Sequence, residues 1–340
     1  MNKNSQKKLS ASIRTSLLSI IALASLAAKT AEVTANQNLF EPPRLTPAPT
    51  SVAGTDQPKL SLNGTWQFNP SPPDGFWKTP TPNDSGFSDI EVPAQWAMQG
   101  FEVEKAAAAA YWREFTVPPE WKSHRIKLRC DAVYSDTAVW INGRQAGQHT
   151  GGFTPFEFDV TELLTIGRKN TIALAVKNDS LADILASGTQ YAAHQLGGIT
   201  RQIYLFAVPN LNITSMHVTT VFDQDYNDAT LQVILELSNE SDNDIENAGV
   251  EFELTGPKKT SVPIDPAAVS FVNIAAGDTI KKIVKIPVSQ PKKWDAEHPD
   301  LYLLKVRLKA EDKILEPYSA GLGFDKSKFE AINYSSIIIL

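Results

Sequence analysis

The chain has 340 residues, of which 42% are hydrophobic and 21% charged, and a formal net charge of −6. That length fits two or three domains. The mild acidity, with Lys and Arg scattered along the chain, argues against a nucleic-acid partner, which asks for a basic face.

The first 35 residues read as an export signal. Lys3, Lys7, Lys8 and Arg14 form a positive head, and an apolar run follows from Leu17 to Ala28. Small residues after it place cleavage behind Ala27 or Ala35. The run is shorter than the roughly 20 apolar residues of a membrane span. The expected location is therefore periplasmic or extracellular, with no membrane contact after cleavage.

Residues 36–57 are rich in Pro, Thr, Ser and Ala and carry little apolar periodicity, as expected of an extended, poorly packed lead-in. Order begins near residue 58, where Leu60 to Phe68 looks hairpin-like with Trp66 and Phe68 on one strand face. Ile90-Glu91-Val92 is a short strand stopped by Pro93. Ala106 to Ala110 is an alanine run too short to hold a helix alone, read as loop. Strands follow over Tyr111 to Val117 and within Lys122 to Val133. The single cysteine, Cys130, alternates into the second of these. One cysteine permits no intramolecular disulfide, and this one reads as a buried strand residue. The exported chain must then rely on its apolar core, for which about 300 mature residues suffice.

The stretch from Val139 to Val176 organises the first domain. Its strand turns at Asn142-Gly143, a strong hairpin signal because both positions tolerate positive φ. Gly147, Gly151 and Gly152 mark bends or close backbone approaches. Phe153, Phe156 and Phe158 supply bulk beside them. Asp159 or Thr161 can cap a short helical turn ended by Gly167, and alternation resumes over Thr171 to Val176. Many short strands with Gly, Pro and Asn turns and no sustained helical period indicate an all-β sandwich.

Pro209-Asn210 marks the boundary of a second domain. Six longer alternating runs follow, at residues 213–222, 230–238, 249–254, 269–274, 279–288 and 301–308. Their spacing is that of an immunoglobulin-like sandwich. The last segment, residues 325–340, ends on the apolar run Ile337-Ile338-Ile339-Leu340. A strand needing a partner at that place reads as an interrupted junction to a further domain.

No metal, cofactor or nucleophile motif stands out. The histidines (His124, His149, His194, His217, His298) are dispersed without zinc spacing. No Gly-x-Ser-x-Gly elbow, phosphate loop or dinucleotide fingerprint occurs, and no pair of carboxylates is nominated for glycoside chemistry. The tryptophans remain. Sugars stack on indole faces through their C–H groups, whereas strand tryptophans usually fill a core. Trp66 and Trp140, on strands, are read as core. Trp96 and Tyr191, in loops, are candidate carbohydrate contacts.

Several motifs resemble one family. They are Asn63-Gly64-Thr65-Trp66-x-Phe68, Val92-Pro93-x-x-Trp96 and Tyr111-Trp112-Arg113-x-Phe115, then Trp140-Ile141-Asn142-Gly143 with Gly151-Gly152-Phe153-x-x-Phe156, and Gly197-Gly198-Ile199-x-Arg201. Together with Trp294, Pro299-Asp300-Leu301-Tyr302 and Gly323-Phe324, they are similar to the start of family-two glycoside hydrolases. That family includes β-galactosidases, β-glucuronidases and β-mannosidases. The resemblance implies a jelly-roll, galactose-binding-like domain over residues 58–209 and an immunoglobulin-like sandwich over 210–324. It implies a following (β/α)₈ barrel with both catalytic glutamates, which this chain does not match anywhere, so no catalytic residue is carried over. Asp325 stands where the family has Arg, and a truncation or frameshift near it would explain the orphan terminus.

The reading is thus a non-catalytic N-terminal portion of an exported glycosidase, without cofactor or metal. Its expected partners are a β-galactoside, β-glucuronide or β-mannoside and a separately encoded barrel domain. Trp96, Gln190, Tyr191 and His194 are the candidates for a sugar contact or active-site rim. The alternatives are a stand-alone carbohydrate-binding or adhesion module and a purely structural exported protein.

Overall fold

The computed structural model describes residues 45–78, 86–104, 107–180, 196–311 and 313–325. The segments expected to form an export signal and an interrupted junction, residues 1–35 and those beyond Asp325, lie outside them. The described chain is all-β and holds two sandwiches, with no helix-wrapped barrel among the described residues.

The first sandwich opens with β1 (Lys59–Ser61), β2 (Gly64–Asn69), β3 (Ser88–Val92), β4 (Ala109–Thr116), β5 (Arg125–Cys130) and β6 (Val133–Tyr134). It continues with β7 (Asp136–Ile141), β8 (Arg144–Thr150), β9 (Phe156–Asp159), β10 (Lys169–Lys177), β11 (Gly198–Ile199) and β12 (Ile203–Val208). A four-stranded sheet, β1-β12-β5-β9, faces a six-stranded one, β3-β2-β4-β10-β7-β8, and β6 pairs with β11 at one end. The start is therefore not a hairpin: β1 and β2 enter different sheets. The corner at Asn63-Gly64 is held by Arg113, whose guanidinium donates to the carbonyls of Leu62 and Asn63 at 2.6 and 2.8 Å. The alanine run is not all loop either, since Ala109 and Ala110 begin β4 and are fully buried against neighbouring strands.

Between the sheets lie Trp66, Phe68, Trp96, Tyr111, Trp121, Leu128, Cys130, Phe156 and Leu174. Trp66 is 1% exposed and donates its indole N–H to the Leu62 carbonyl at 2.8 Å. Trp140 is buried as well, but on the outer face of the six-stranded sheet, in a separate cluster with Phe76 and Trp112. There its ring stacks on Trp77 at 4.4 Å and 10°. The Asn142-Gly143 turn has the two left-handed φ values, 50° and 75°, that a tight hairpin demands.

The second sandwich comprises β13 (Leu211–Phe222), β14 (Ala229–Asn239), β15 (Ile245–Thr255), β16 (Ser261–Val262) and β17 (Ala268–Ile274), then β18 (Thr279–Val288), β19 (Leu301–Ala310) and β20 (Lys313–Gly323). One sheet runs β13-β14-β18. The other runs β16-β15-β19-β20, with β17 also on β15. Strict alternation sends Leu231, Val233, Leu235 and Leu237 inward from β14, and Tyr302, Leu304, Val306 and Leu308 from β19. Six of these strands follow the sequence pattern, whereas β16 and β20 do not. Strand β20 hides because Glu316 occupies an inward position, fully buried, and Pro317 follows it.

The lead-in also differs from its expectation. It is extended, but from residue 45 onward it is packed: Thr46 and Val52 are 5% and 4% exposed. A proline-rich composition lacks periodicity, and that says nothing about whether tertiary partners await the segment.

Candidate functional site

Four residues were nominated from sequence. Gln190, Tyr191 and His194 lie outside the described residues. Trp96 sits where the chain re-enters after them. Its backbone N–H donates to the Gly197 carbonyl at 3.2 Å, and Ala94 N–H donates to Ile199 at 2.8 Å. These bonds tie the Val92-Pro93-x-x-Trp96 loop to β11, which itself pairs Gly198 with Tyr134 of β6. The Trp96 ring lies over Gly197 so closely that a Cβ there would be 2.0 Å from it. The ring also tilts against Phe68 at 6.0 Å and is 2% exposed. As a stacking platform for sugar, Trp96 is therefore corrected: its faces are spent inside the core.

Two other apolar side chains at this end face solvent. Met98, on the short turn after Trp96, is 69% exposed, and Phe153 is 54% exposed. Phe153 packs edge-on against Tyr134 at 5.3 Å, while Gly152 lets the same tyrosine ring come within 2.1 Å of where a Cβ would be. Sequence reasoning placed Phe153 only as bulk beside the glycines. The signal it missed is that Gly152 is consumed by Tyr134, which turns the next side chain outward.

One cluster of ionisable groups with displaced pKa values lies where the sandwiches meet. Lys127 of β5 is 5% exposed and contacts Asp159 of β9 at 2.9 Å and Glu240, just beyond β14, at 3.0 Å. Arg125 adds contacts to Asp159 at 2.8 Å and Glu240 at 3.5 Å. Burial would lower the Lys127 pKa, but the two carboxylates outweigh it and the net shift is upward. Burial would likewise raise that of Asp159. The Lys127 ammonium and the Thr161 hydroxyl and amide instead hold it down to about 2.

Glu316 is the opposite case. Burial pushes its carboxyl up to about 8, with no cation beside it. Its Oε1 accepts the Ile213 N–H at 2.9 Å, and the Tyr318 hydroxyl lies beside it without closing a hydrogen bond. A raised carboxyl is what a general acid needs. This one is 0% exposed and caps the free edge of β13, leaving no room for a sugar. Asp159, held by donors from Arg125, Lys127 and Thr161, is equally committed.

Other chemistry finds no seat in these parts. Cys130 is fully buried, and burial pushes its thiol up, away from nucleophilic use. Among the described residues no group of three His, Cys, Asp or Glu is arranged to hold a metal. A shallow recess of about 220 Å³ beside Phe222 and Pro287 carries Asp223 and Asp228. It is smaller than ordinary ligand pockets, and the Asp223 carboxylate already accepts the N–H groups of Asn227 and Asp228 at 2.8 and 3.1 Å.

Comparison with known proteins matches this architecture in order. Residues 60–209 match the glycosyl hydrolases family 2 sugar binding domain, and residues 211–324 match glycosyl hydrolases family 2. A β-galactosidase of Priestia megaterium is 30% identical over 292 residues, 78% of this chain and 28% of the relative. A β-galactosidase of Thermoanaerobacter pseudethanolicus is 26% identical, covering 79% of this chain and 36% of its own length. The structure of Bacteroides uniformis β-glucuronidase superimposes with a TM-score of 0.69 at 25% identity, over 78% of this chain and 32% of that one. The chain thus spans about a third of the length of these relatives. With both consecutive domains matched across residues 60–324, the chain belongs to glycosyl hydrolase family 2.

Proposed function

We propose that the two sandwiches are the non-catalytic N-terminal part of an exported glycosidase. They scaffold and flank a barrel domain that hydrolyses the O-glycosyl bond of a β-galactoside or β-glucuronide. The observation that carries this reading is the consecutive match of both family domains over residues 60–324. The two acids with strongly displaced pKa values support it, because both are engaged structurally: Asp159 in the ion cluster of Lys127 and Arg125, and Glu316 on the Ile213 N–H at the edge of β13. The test is turnover of nitrophenyl β-galactoside and β-glucuronide by the purified chain alone; no hydrolysis is expected, and reproducible hydrolysis lost on substitution of a residue within 58–324 overturns it. Export is tested by fractionating cells that express the full chain and sequencing the N-terminus of the mature protein, expected to begin after Ala27 or Ala35.

A second reading, a carbohydrate-binding module, has one observation of its own: the exposed Phe153 ring at the Tyr134 end of the first sandwich. Calorimetric titration with galactosides and glucuronides decides it. Saturable binding abolished in Phe153→Ala favours the module, and no heat favours the scaffold.

A further inference from the structure

The contacts of the lead-in form a pattern beyond simple packing. The Thr46 hydroxyl donates to Glu157 of β9 at 2.6 Å, and its carbonyl accepts from Arg129 of β5. Both partners belong to the first sandwich. A few residues on, Thr50 N–H donates to the Pro317 carbonyl at 3.0 Å and Ala53 N–H to that of Leu315 at 2.9 Å. These carbonyls are on β20, the edge strand of the second sandwich. The chain then turns over Val52–Thr55, closed by Thr55 N–H to Val52 at 3.2 Å with Gly54 at φ 83°. It returns at once to the first sandwich. The Ala53 carbonyl accepts His124 Nε2–H at 2.8 Å, and the Trp121 indole N–H donates to Thr55 Oγ1 and the Gln57 carbonyl at 3.2 and 2.9 Å.

The second sandwich is thereby held between two anchorages on the first. The direct link, Pro209-Asn210, is short and would by itself allow pivoting about one point. A second crossing at β20 removes that freedom. It also satisfies carbonyls that an open edge strand would leave to water or to another chain.

We propose that residues 45–57 are a strap that locks the two sandwiches into one cooperative unit and closes the β20 edge.

Hydrogen exchange on the full chain gives the first measurement. The Thr50 and Ala53 amides should exchange about five- to tenfold more slowly than in a free peptide, the factor an ordinary net hydrogen bond supplies. The second measurement uses the double variant Val52→Asp, Ala53→Pro. Proline suits the second position of the Val52–Thr55 turn, so the turn survives while the bond to Leu315 is lost and the buried valine anchor is broken. Calorimetry should then resolve two unfolding transitions in place of one, and small-angle scattering should show a larger radius of gyration. Free-peptide exchange at Thr50 and Ala53 in the native chain overturns the strap, as does a double variant with one unchanged transition and unchanged scattering. Should the variant fail to fold, the native exchange rates alone decide.

Discussion

The two sandwiches reach a dry core by different means. The first packs large rings against glycines: Trp96 over Gly197, Tyr134 over Gly152 and Phe158 over Gly147, each closer than any Cβ would permit. The second stacks aliphatic side chains at every other residue of long strands, and a glycine such as Gly321 has nothing within 4 Å of its missing Cβ. In the first, shape complementarity between unlike pieces sets the structure. In the second, strand periodicity sets most of it, with Gly323 against Trp294 as a ring-on-glycine contact of its own. A jigsaw is brittle and a ladder tolerant.

That contrast is broken most severely at Gly197. Gly197→Val must displace the Trp96 ring from the centre of the core, and overpacking with loss of that ring's burial should cost about 4 kcal/mol or more. Urea titration at fixed pH reads the loss. A cost under about 1 kcal/mol would show that the Trp96 loop relaxes freely and that the fit is loose.

The next largest effect concerns the one polar intruder in the ladder. Glu316 keeps its proton in the fold until about pH 8, whereas the unfolded chain releases it near 4.5. Between those values the folded state binds the extra proton, so stability falls as pH rises through that window and levels off above it. The span corresponds to a loss on the order of 4 kcal/mol between pH 5 and 9. Glu316→Gln should flatten this slope, because glutamine mimics the protonated acid and still accepts from Ile213 N–H. Asp159 works in the other direction. Its carboxyl is held down to about 2, so its contribution is present above pH 4 and fades as pH falls toward 2. A variant with the same alkaline loss as the parent would remove Glu316 as its source.

How much was legible follows the same divide. The ladder's periods announced β13, β14, β15, β17, β18 and β19 to within a few residues, because alternation is a local property. The jigsaw announced its turns, Asn142-Gly143 above all, but not which glycine faces which ring. Trp96 looked like a loop tryptophan open to sugar, yet it fills the hollow left by Gly197, about a hundred residues away in sequence. Strand β20 escaped notice because Glu316 breaks the alternation, and its reason for being there, the free Ile213 N–H on the neighbouring sheet, is tertiary. The strap escaped for the same reason: backbone hydrogen bonds from a proline-rich segment leave no mark in composition. Of the nominated site, only Trp96 falls among the described residues.

A third perturbation acts where the two designs touch. Lys127→Met removes the ammonium shared by Asp159 and Glu240, so two partly buried carboxylates lose their main partner. Breaking a fully buried pair costs about 3–5 kcal/mol. Here the Asp159 and Glu240 side chains keep 30% and 24% exposure and Arg125 remains, so about 2 kcal/mol is expected. The loss should shrink below pH 4 as Asp159, freed of the ammonium, takes up its proton. Thermal unfolding of both chains at pH 7 and pH 3.5 measures it, and an equal loss at both pH values would remove the charge as the cause.

The smallest effect is the sharpest test of tolerance. Gly321 lies on β20 opposite Leu303, which is 37% exposed, with open space where its Cβ would be. Its φ lies outside the left-handed region, so alanine meets no backbone strain there. Gly321→Ala reduces the freedom of the unfolded chain and adds a methyl group beside the outer face of β19. Both effects favour the fold, by about 0.5 kcal/mol together. For a chain of this size that is an increase of about 1 °C in Tm. The same one-carbon change at Gly197 should unfold the protein at markedly lower temperature, because there the added atom has no space to occupy. If the two alanine variants instead lost stability equally, the second sandwich would be packed as unforgivingly as the first, and its regular sequence pattern would have concealed a second jigsaw.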